Sequence, residues 1–479
     1  MADRRRKGSS TSVVWFRQDL RLADNPALHA AAANQCAILP VYVFDEAAAG
    51  AWAIGGAQRW WLHHSLEALA RDLKTAGATL VLRRGEAATI IPALAREVDA
   101  TEVHAGRLVE PWARRQADRV AAGLGSTLLH QHRSSTLRDM DAVRTKGGGV
   151  YGVYTPFARA CRALGDMPPP LPAPTQLTAV TASSDALADW RLLPSRPDWA
   201  GGLRQSWKPG EAGAHARLRR FMAEAIGRYA EGRNIPGQDL TSMLSPHLHC
   251  GELSPAQVWH AAAEAAQGDS LRVFHAELLW REFAAYLLWH HPHLPNQPLR
   301  PDYSRLQWRN DTAGLAAWQK GRTGVPIIDA GMRQLWHTGW MHNRVRMITA
   351  SFLVKHLLVS WVAGEAWFWD TLVDADLAAN AASWQWVAGS GTDSQPFFRV
   401  FNPVTQGRTF DADGAYVRRW VPELAHLPDR HLHDPWAAPD DVLAKAGVRL
   451  GDTYPHKLID LTEGRNRALA AFKAMREAA

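Results

Sequence analysis

Cysteine is scarce in this chain of 479 residues. Only Cys36, Cys161 and Cys250 occur, and they are widely spaced and odd in number. This pattern excludes a disulfide framework and provides no CxxC zinc site, and it is typical of a reducing compartment. We therefore predict a cytoplasmic protein. Histidines cluster in places, as at His247 and His249, but none of the clusters has the spacing of a complete zinc set, so we predict no metal site.

Long apolar runs and the common nucleotide-binding motifs are also missing. No stretch of about 18 consecutive apolar residues is present, so we expect no membrane span. The basic start, MADRRRKGSS, leads into a strand rather than into an apolar signal region. No GxGxxG motif follows the first predicted strand, and no GxxxxGK motif occurs. Both absences argue against a dinucleotide or a triphosphate at the first turn.

The charge balance is moderately basic. Lys and Arg outnumber Asp and Glu by 54 to 47, which gives a net charge of +7. A basic balance suits a polyanionic partner, but it is equally typical of a solvated basic surface. The hydrophobic share of 47% is ordinary for a globular chain long enough for two or three domains. Charge alone therefore selects no function.

The first part of the chain alternates short apolar runs with helical patterns. Strands are predicted at 13–16, 37–44, 79–84 and 102–105, with helices between them. Such alternation predicts a parallel sheet covered on both faces, so residues 1–135 are predicted to form an α/β domain with a Rossmann-like sheet. The Pro-rich composition from Met167 onward predicts a connector over the surface, and we place an interdomain linker at 136–209.

Residues 210–479 are predicted to form a second, all-helical domain. Apolar residues recur there at three- and four-residue spacing, as in Met341, Val345 and Ile348, which is typical of packed helices. Fourteen of the 22 tryptophans lie at or beyond Trp259. The same helices carry a compact polar set that an apolar core does not require: Asn343, Arg344, Arg346, Asp374, Asp376 and Asn380.

Three separated motifs carry a family resemblance. GWMHNRVRMITASFLVKHLL, DADLAAN and SWQW, in this order, are together similar to the flavin-binding part of the DNA photolyase and cryptochrome family. The resemblance extends to WFRQDLRLADNPAL, TSMLSPHLHCGELSP, ELLWREF and FNPVTQG, and so covers nearly the whole chain. It implies that the helical domain binds FAD, and that the protein is a monomer acting on UV-damaged DNA that contains pyrimidine dimers.

The implied cofactor contacts are mostly hydroxyl, amide and carboxylate groups. The segment TSMLS offers hydroxyls and backbone N–H groups ahead of a predicted helix, which suits a phosphate, although out of context it is a helix cap. The resemblance implies that this segment contacts the FAD pyrophosphate, that Asp374 pairs with Arg346, and that Asn380 faces flavin N5. The implied FAD contacts are Tyr229, Thr241, Ser242, Met243, Leu244, Ser245, Phe274, Arg346, Asp374, Ala375, Asp376 and Asn380.

Two tryptophans of SWQW have different expected partners. Trp384 and Trp386 are two residues apart, so on a helix they point about 200° away from each other. The resemblance makes Trp384 the first member of an electron-transfer chain that continues through Trp361 to Trp308. Any one of these positions taken alone is more simply a core tryptophan. The implied catalytic residues are Glu277, Trp308, Trp361, Trp384 and Asn380.

A second group of residues is implied to bind DNA and its lesion. Glu277 and Arg281 lie four residues apart in ELLWREF, and a surface Glu–Arg helix pair is the plain explanation. By resemblance, Glu277 instead donates to a pyrimidine carbonyl, while Trp280 and Trp386 offer flat faces to a flipped-out dimer. The implied contacts are Arg233, Glu277, Trp280, Arg281, Asn343, Arg344, Met347, Trp386 and Gln406.

The combination of Met347, Asn380 and the SWQW tryptophans resembles photolyases of the bacterial type that act on cyclobutane pyrimidine dimers. We therefore predict a carbon–carbon lyase for light-dependent DNA repair, in which photoexcited reduced FAD lends an electron that splits the dimer. The alternative is a cryptochrome-like blue-light photoreceptor without repair activity. An antenna chromophore is left open, because Glu110 and Pro111 lie in the segment where folate-type photolyases carry an Asn–Glu pair.

Overall fold

The computed structural model describes residues 11–33, 36–394 and 396–477. The outer ends of the two predicted domains, residues 1–10 and 478–479, lie outside the described residues. In the part that is described, the first domain contains a five-stranded sheet. Its strands are β1 (Thr11–Phe16), β2 (Ala37–Phe44), β3 (Val81–Arg84), β4 (Ala100–Arg107) and β5 (Leu128–Arg133).

The sheet has the order β3-β2-β1-β4-β5, and every neighbouring pair is parallel. Side chains alternate between its two faces, so that Val14 and Phe16 join one apolar cluster while Val13 and Trp15 join another. Helices cover both faces, as the alternating pattern predicted. The sequence did not predict β5, because this edge strand reads LLHQHR and is only partly buried.

Helices occupy most of the remaining chain. Those up to residue 206 are α1 (Pro26–Ala33), α2 (Glu46–Ala49), α3 (Gly56–Thr75), α4 (Ala87–Glu97), α5 (Pro111–Gly123), α6 (Tyr154–Ala163) and α7 (Gly201–Ser206). Those of the helical domain are α8 (Glu211–Glu224), α9 (Tyr229–Gly232), α10 (Ser245–Cys250), α11 (Pro255–Ala265), α12 (Gly268–His290), α13 (Thr312–Gln319), α14 (Pro326–Thr338), α15 (Asn343–Ser351), α16 (Trp361–Thr371), α17 (Leu377–Ala388), α18 (Pro403–Phe410), α19 (Ala415–Trp420), α20 (Asp429–Leu432), α21 (Asp440–Lys445) and α22 (Leu461–Glu477). Short 3₁₀ helices are Gly50–Trp52, Leu187–Trp190, Ile226–Arg228, Pro301–Arg305, Pro422–Leu424 and Pro435–Ala437.

The helical domain is built around α12, whose C-terminal half is buried on nearly every side. It packs against α17, α9 and α6. A single π-helical turn, Phe352–His356, connects α15 to the segment before α16, and its polar residues Lys355 and His356 are buried as well. No helix among the described residues is both long enough and apolar enough to cross a membrane.

The stretch predicted as a surface connector is partly built into the α/β domain. Leu177, Trp190 and Leu192 are buried in the apolar cluster that also holds Val14 of β1. Ala179 pairs with Ile38 next to β2 as an isolated parallel bridge. The expectation of a connector over the surface is therefore wrong for this part, because a few apolar residues among the prolines are enough to anchor it.

Candidate functional site

A cavity of about 570 Å³ opens into the helical domain. Its walls come from α9, the segment before α10, α12, α15, α17 and residues 391–394. All of the implied FAD contacts line this cavity, and all of the implied DNA and lesion contacts except Gln406 line it too. The fold therefore brings together side chains that lie far apart in the sequence, although their individual roles stay predictions.

One wall is formed by the hydroxyl-rich segment 241–245. Met243 adopts a positive φ of 50°, a backbone conformation that is uncommon for a residue other than glycine. The turn ends at Ser245, whose Oγ donates to Oδ2 of Asp374 at 2.5 Å and accepts from Nε1 of Trp340 at 3.2 Å. The segment is thus tied directly to the Asp374 carboxylate at the cavity wall.

The expected ion pair between Arg346 and Asp374 is present. Nη2 of Arg346 lies 2.8 Å from Oδ2 and 3.1 Å from Oδ1 of Asp374, and Nε donates to the carbonyl oxygen of Met341 at 2.7 Å. Asp374 is nearly buried, so its charge requires these partners. The guanidinium is fixed as a planar cation at the cavity wall.

Helix α17 begins at the cavity with a side-chain cap. Oδ1 of Asp376 accepts from the backbone N–H of Ala379 at 2.8 Å, as an N-cap residue does. One residue further, Asn380 is buried, and its Nδ2 donates to the backbone oxygen of Glu365 at 3.2 Å. This bond leaves the amide oxygen as the group that Asn380 can present to a ligand.

Glu365 lies on α16 behind Asn380, and sequence reasoning missed it. Its side chain is fully buried, and neither carboxylate oxygen has a hydrogen-bond partner among the described residues. Burial alone raises the pKa of Glu365 well above its usual value. Burial therefore favours the neutral form of this carboxyl group, which lies next to the cavity residue Asn380. A single Glu in GEAWFWD resembles an ordinary surface position, so the sequence carried no signal for it.

Glu277 has a different partner from the one that local spacing suggested. It forms an ion pair with Arg233 at 2.5 Å, whereas Nη1 of Arg281 donates to the carbonyl oxygen of Ser135 at 2.7 Å. The prediction of a surface ion pair between Glu277 and Arg281 is therefore wrong. Arg281 instead approaches Asp376 at 4.0 Å, because its side chain points toward the start of α17.

The tryptophans of α17, predicted to point about 200° apart, differ in exposure. Trp384 is 2% exposed and lies edge-on to Phe368 with ring centres 5.0 Å apart, while Trp386 is partly exposed. Both line the cavity. Trp361 and Trp308 do not line it: the first is buried on α16 and the second is half-buried. Their burial increases toward Trp384, but electron transfer through them stays a prediction.

Two implied DNA contacts lie on opposite sides of the cavity boundary. Arg344 lines the cavity, donates from Nη2 to Oδ1 of Asn234 at 2.8 Å, and lies over the ring of Phe410 at 4.4 Å. Gln406 belongs to α18, outside the cavity. Gln406 is partly exposed, and its role as a DNA contact stays a prediction.

Sequence reasoning also missed the polar segment 391–394 and Trp340, which complete the cavity walls. The run GSGTDS directly after α17 was the available signal, because small polar residues at the end of a helix are typical of ligand-binding loops. Trp340 stood in the quoted motif but was indistinguishable from a core residue.

The described residues include a cluster of possible metal ligands that the sequence did not suggest. His63, His64 and Glu67 on α3 have donor atoms within 4.8 Å of one another. These residues are outside the cavity.

In the segment considered for an antenna, Glu110 is buried just before α5. Burial is the main cause that raises its pKa, and Oε1 of Glu110 accepts from Nε2 of Gln18 at 3.2 Å. No antenna chromophore is assigned to this chain.

Known proteins match both parts of this architecture. A family model described as DNA photolyase matches residues 12–175, and one described as the FAD binding domain of DNA photolyase matches residues 274–474. A deoxyribodipyrimidine photo-lyase of Agrobacterium fabrum is 48% identical over 473 residues, which cover 97% of this chain and 98% of the relative.

Solved structures agree with the sequence relatives. A bacterial class III photolyase from Agrobacterium tumefaciens has a TM-score of 0.95 at 47% identity, with 98% of both chains covered. A cryptochrome of Synechocystis has a TM-score of 0.87 at 28% identity, with 96% of this chain and 99% of that chain covered. Fold and cavity thus define a two-domain flavoprotein with an FAD-binding helical domain. More particularly, the chain belongs to the DNA photolyase family. The predicted fold class, family and FAD cofactor are confirmed.

Proposed function

We propose that this protein repairs UV-damaged DNA in a light-dependent reaction that splits cyclobutane pyrimidine dimers. The observation that supports the proposal is one cavity lined both by the implied FAD contacts and by side chains suited to a flipped-out dimer. Asn380 and Trp386 belong to these two groups and lie on the same helix, α17. A short path between cofactor and lesion is the condition that electron transfer requires.

The cavity residues implied to bind the cofactor suit the chemistry of FAD. A bound, reduced FAD supplies light absorption and the electron that the reaction transfers. Arg346, fixed by Asp374, offers a cation against the electron-rich ring system, and the segment 241–245 offers hydroxyls for the phosphates. Asn380 presents its amide oxygen as an acceptor without adding a charge.

The cavity residues implied to bind the lesion suit two stacked pyrimidines removed from the duplex. Trp280 is 37% exposed and, with Trp386, offers apolar ring faces for the bases. Glu277 is held by Arg233, and when its carboxyl group carries a proton it can donate to a pyrimidine carbonyl oxygen. Arg344 at the cavity and Gln406 outside it are suited to phosphates on either side of the flipped nucleotides.

The test is light-driven repair by the full chain. Anaerobically photoreduced protein is mixed with an oligonucleotide that contains one thymine dimer, and recovery of base absorbance is followed under blue light and in darkness. We expect recovery only in the light. A Glu277→Gln variant, which keeps the shape of the side chain, is the matched control and should repair more slowly while it retains FAD.

A negative result has a specific meaning. If the protein holds reduced FAD and binds the damaged oligonucleotide but restores no absorbance in the light, repair is refuted and a blue-light photoreceptor becomes the better explanation. The proposal also includes a monomer in the cytoplasm and domain boundaries at residues 135 and 210. Sedimentation of the purified protein, with and without DNA, tests whether it is a monomer.

A further inference from the structure

Trp280 is stacked on Tyr154, which is not among the residues implied to contact FAD or DNA. The ring of Tyr154 lies parallel to the ring of Trp280, with centres 3.7 Å apart and an angle of 6° between the planes. Trp280 lines the cavity, whereas Tyr154 does not. Tyr154 therefore covers the face of Trp280 that is turned away from the cavity and leaves the other face for a ligand.

Tyr154 is itself fixed by two hydrogen bonds. Its hydroxyl donates to the carbonyl oxygen of Ala276 at 2.9 Å, one turn before Trp280 on α12. Its backbone N–H donates to Oδ2 of Asp393 at 2.9 Å, and Asp393 also lines the cavity. Burial raises the pKa of the Tyr154 phenol to about 12, so the hydroxyl stays protonated and continues to donate.

A third aromatic ring completes the arrangement. Phe283 meets Trp280 and Tyr154 edge-on, with ring centres 6.0 and 6.1 Å away and interplanar angles of 70° and 69°. Offset and edge-to-face contacts are the favourable geometries for aromatic pairs. Trp280 is thus enclosed on two sides, and its partly exposed ring has little freedom to rotate.

We propose that Tyr154 is a positioning residue for the lesion: it holds Trp280 flat against a flipped-out pyrimidine dimer and couples Trp280 to the segment around Asp393. This inference rests on the proposed function, because the occupant is the dimer named there. A ring held in its binding orientation loses less conformational freedom when the ligand arrives, so the ligand binds more tightly. The residue that provides this support lies in the predicted interdomain linker, far from α12 in the sequence.

The experiment compares Tyr154→Leu with Tyr154→Phe in the full chain loaded with FAD. Dissociation constants are measured for two oligonucleotides of the same sequence, one with a thymine dimer and one undamaged. We expect Tyr154→Leu to weaken binding of the damaged oligonucleotide by about two- to tenfold, the range expected when one side chain must be ordered on binding. Binding of the undamaged oligonucleotide should not change, and Tyr154→Phe should restore most of the preference.

Two controls separate positioning from general damage to the fold. FAD content and the thermal midpoint show whether each variant is folded, and Tyr154→Met, which also lacks an aromatic ring, replaces the Leu variant if that variant does not retain FAD. In a Trp280→Ala background the Tyr154 substitution should have no further effect on the preference, because the ring that it positions is gone.

The outcomes are distinct. The inference is overturned if Tyr154→Leu keeps the wild-type preference for damaged DNA, or if it weakens both oligonucleotides equally. If the wild-type protein shows no preference for damaged DNA at all, the proposed function fails instead, and that result is seen before any variant is made.

Discussion

Gly364 provides the sharpest test of how Trp384 is held. It lies in the interior of α16, where an alanine is ordinarily preferred over glycine by about 1 kcal/mol. A Cβ atom at this position would lie 2.1 Å from Cη2 of Trp384 and 2.5 Å from Cζ3. The indole therefore occupies the space that the missing side chain leaves free, and Gly364→Ala should destabilise the protein.

The size of the effect follows from the surroundings of the indole. To restore an ordinary contact of 3.4 Å, the ring must retreat by about 1.3 Å. Phe368 and Trp318 pack against the indole with ring centres 5.0 and 6.2 Å away, and Trp384 is 2% exposed, so the ring has little room to move. We therefore take the upper end of the usual overpacking cost, about 3 kcal/mol. After the helix-propensity gain of about 1 kcal/mol, the net loss is about 2 kcal/mol.

Urea unfolding of the FAD-loaded protein measures this loss, and Gly201→Ala is the matched control. Gly201 begins α7, and an added Cβ there meets no atom within 4 Å, so that variant should be as stable as the wild type. Since Trp384 also lines the cavity, Gly364→Ala should slow the photoreduction of oxidised FAD as well. A Gly364→Ala protein as stable as the wild type would refute the packing argument.

Three further predictions concern buried ionisable groups. Burial raises the pKa of Glu365 in the folded protein, so the free energy of unfolding of the wild type should fall as pH rises. The stability of Glu365→Gln relative to the wild type, measured by urea unfolding, should therefore increase from pH 5 to pH 9. A difference that stays constant over this range would contradict the prediction. Burial lowers the pKa of His342 to about 3 and that of His356 to about 4, below the 6.5 of the unfolded chain. The unfolded state therefore binds more protons below pH 6.5, and the free energy of unfolding should fall as pH drops from 6.5 toward 4, less so in His356→Leu. Burial also lowers the pKa of Lys355 to about 7, so the free-energy cost of burying the charged amine falls as pH rises above 7. Any gain in the free energy of unfolding from Lys355→Met should therefore shrink from pH 7 to 10. A gain that grows over this range would show that the amine is not desolvated.

Local patterns in the sequence predicted most of the fold. Strand-to-helix alternation predicted the first four strands of the sheet, since buried parallel strands are apolar along their whole length. Strand β5 escaped because an edge strand that is half solvated needs no such composition. The connector around Leu177 and Trp190 was misjudged for the opposite reason, because isolated apolar residues among prolines have no periodicity.

The candidate site shows where local reasoning stops. The resemblance assembled the cavity residues, but Arg233, the partner of Glu277, lies 44 residues away, just after α9, and no i, i+4 rule can select it. The neutral Glu365 and the stacking of Tyr154 on Trp280 likewise depend on contacts between distant elements. Such features become predictable only when the packing of α6, α12, α16 and α17 is known.

The buried connector has a consequence for synthesis on the ribosome. Leu177, Trp190 and Leu192 fill the same cluster as Val14 of β1, so the amino-terminal sheet cannot close its core until residue 192 has been translated and has left the exit tunnel. A nascent chain halted near residue 135 already contains every described strand, yet it still exposes apolar surface. The emerging sheet therefore stays open to chaperones while the first stretch of the helical domain is being made.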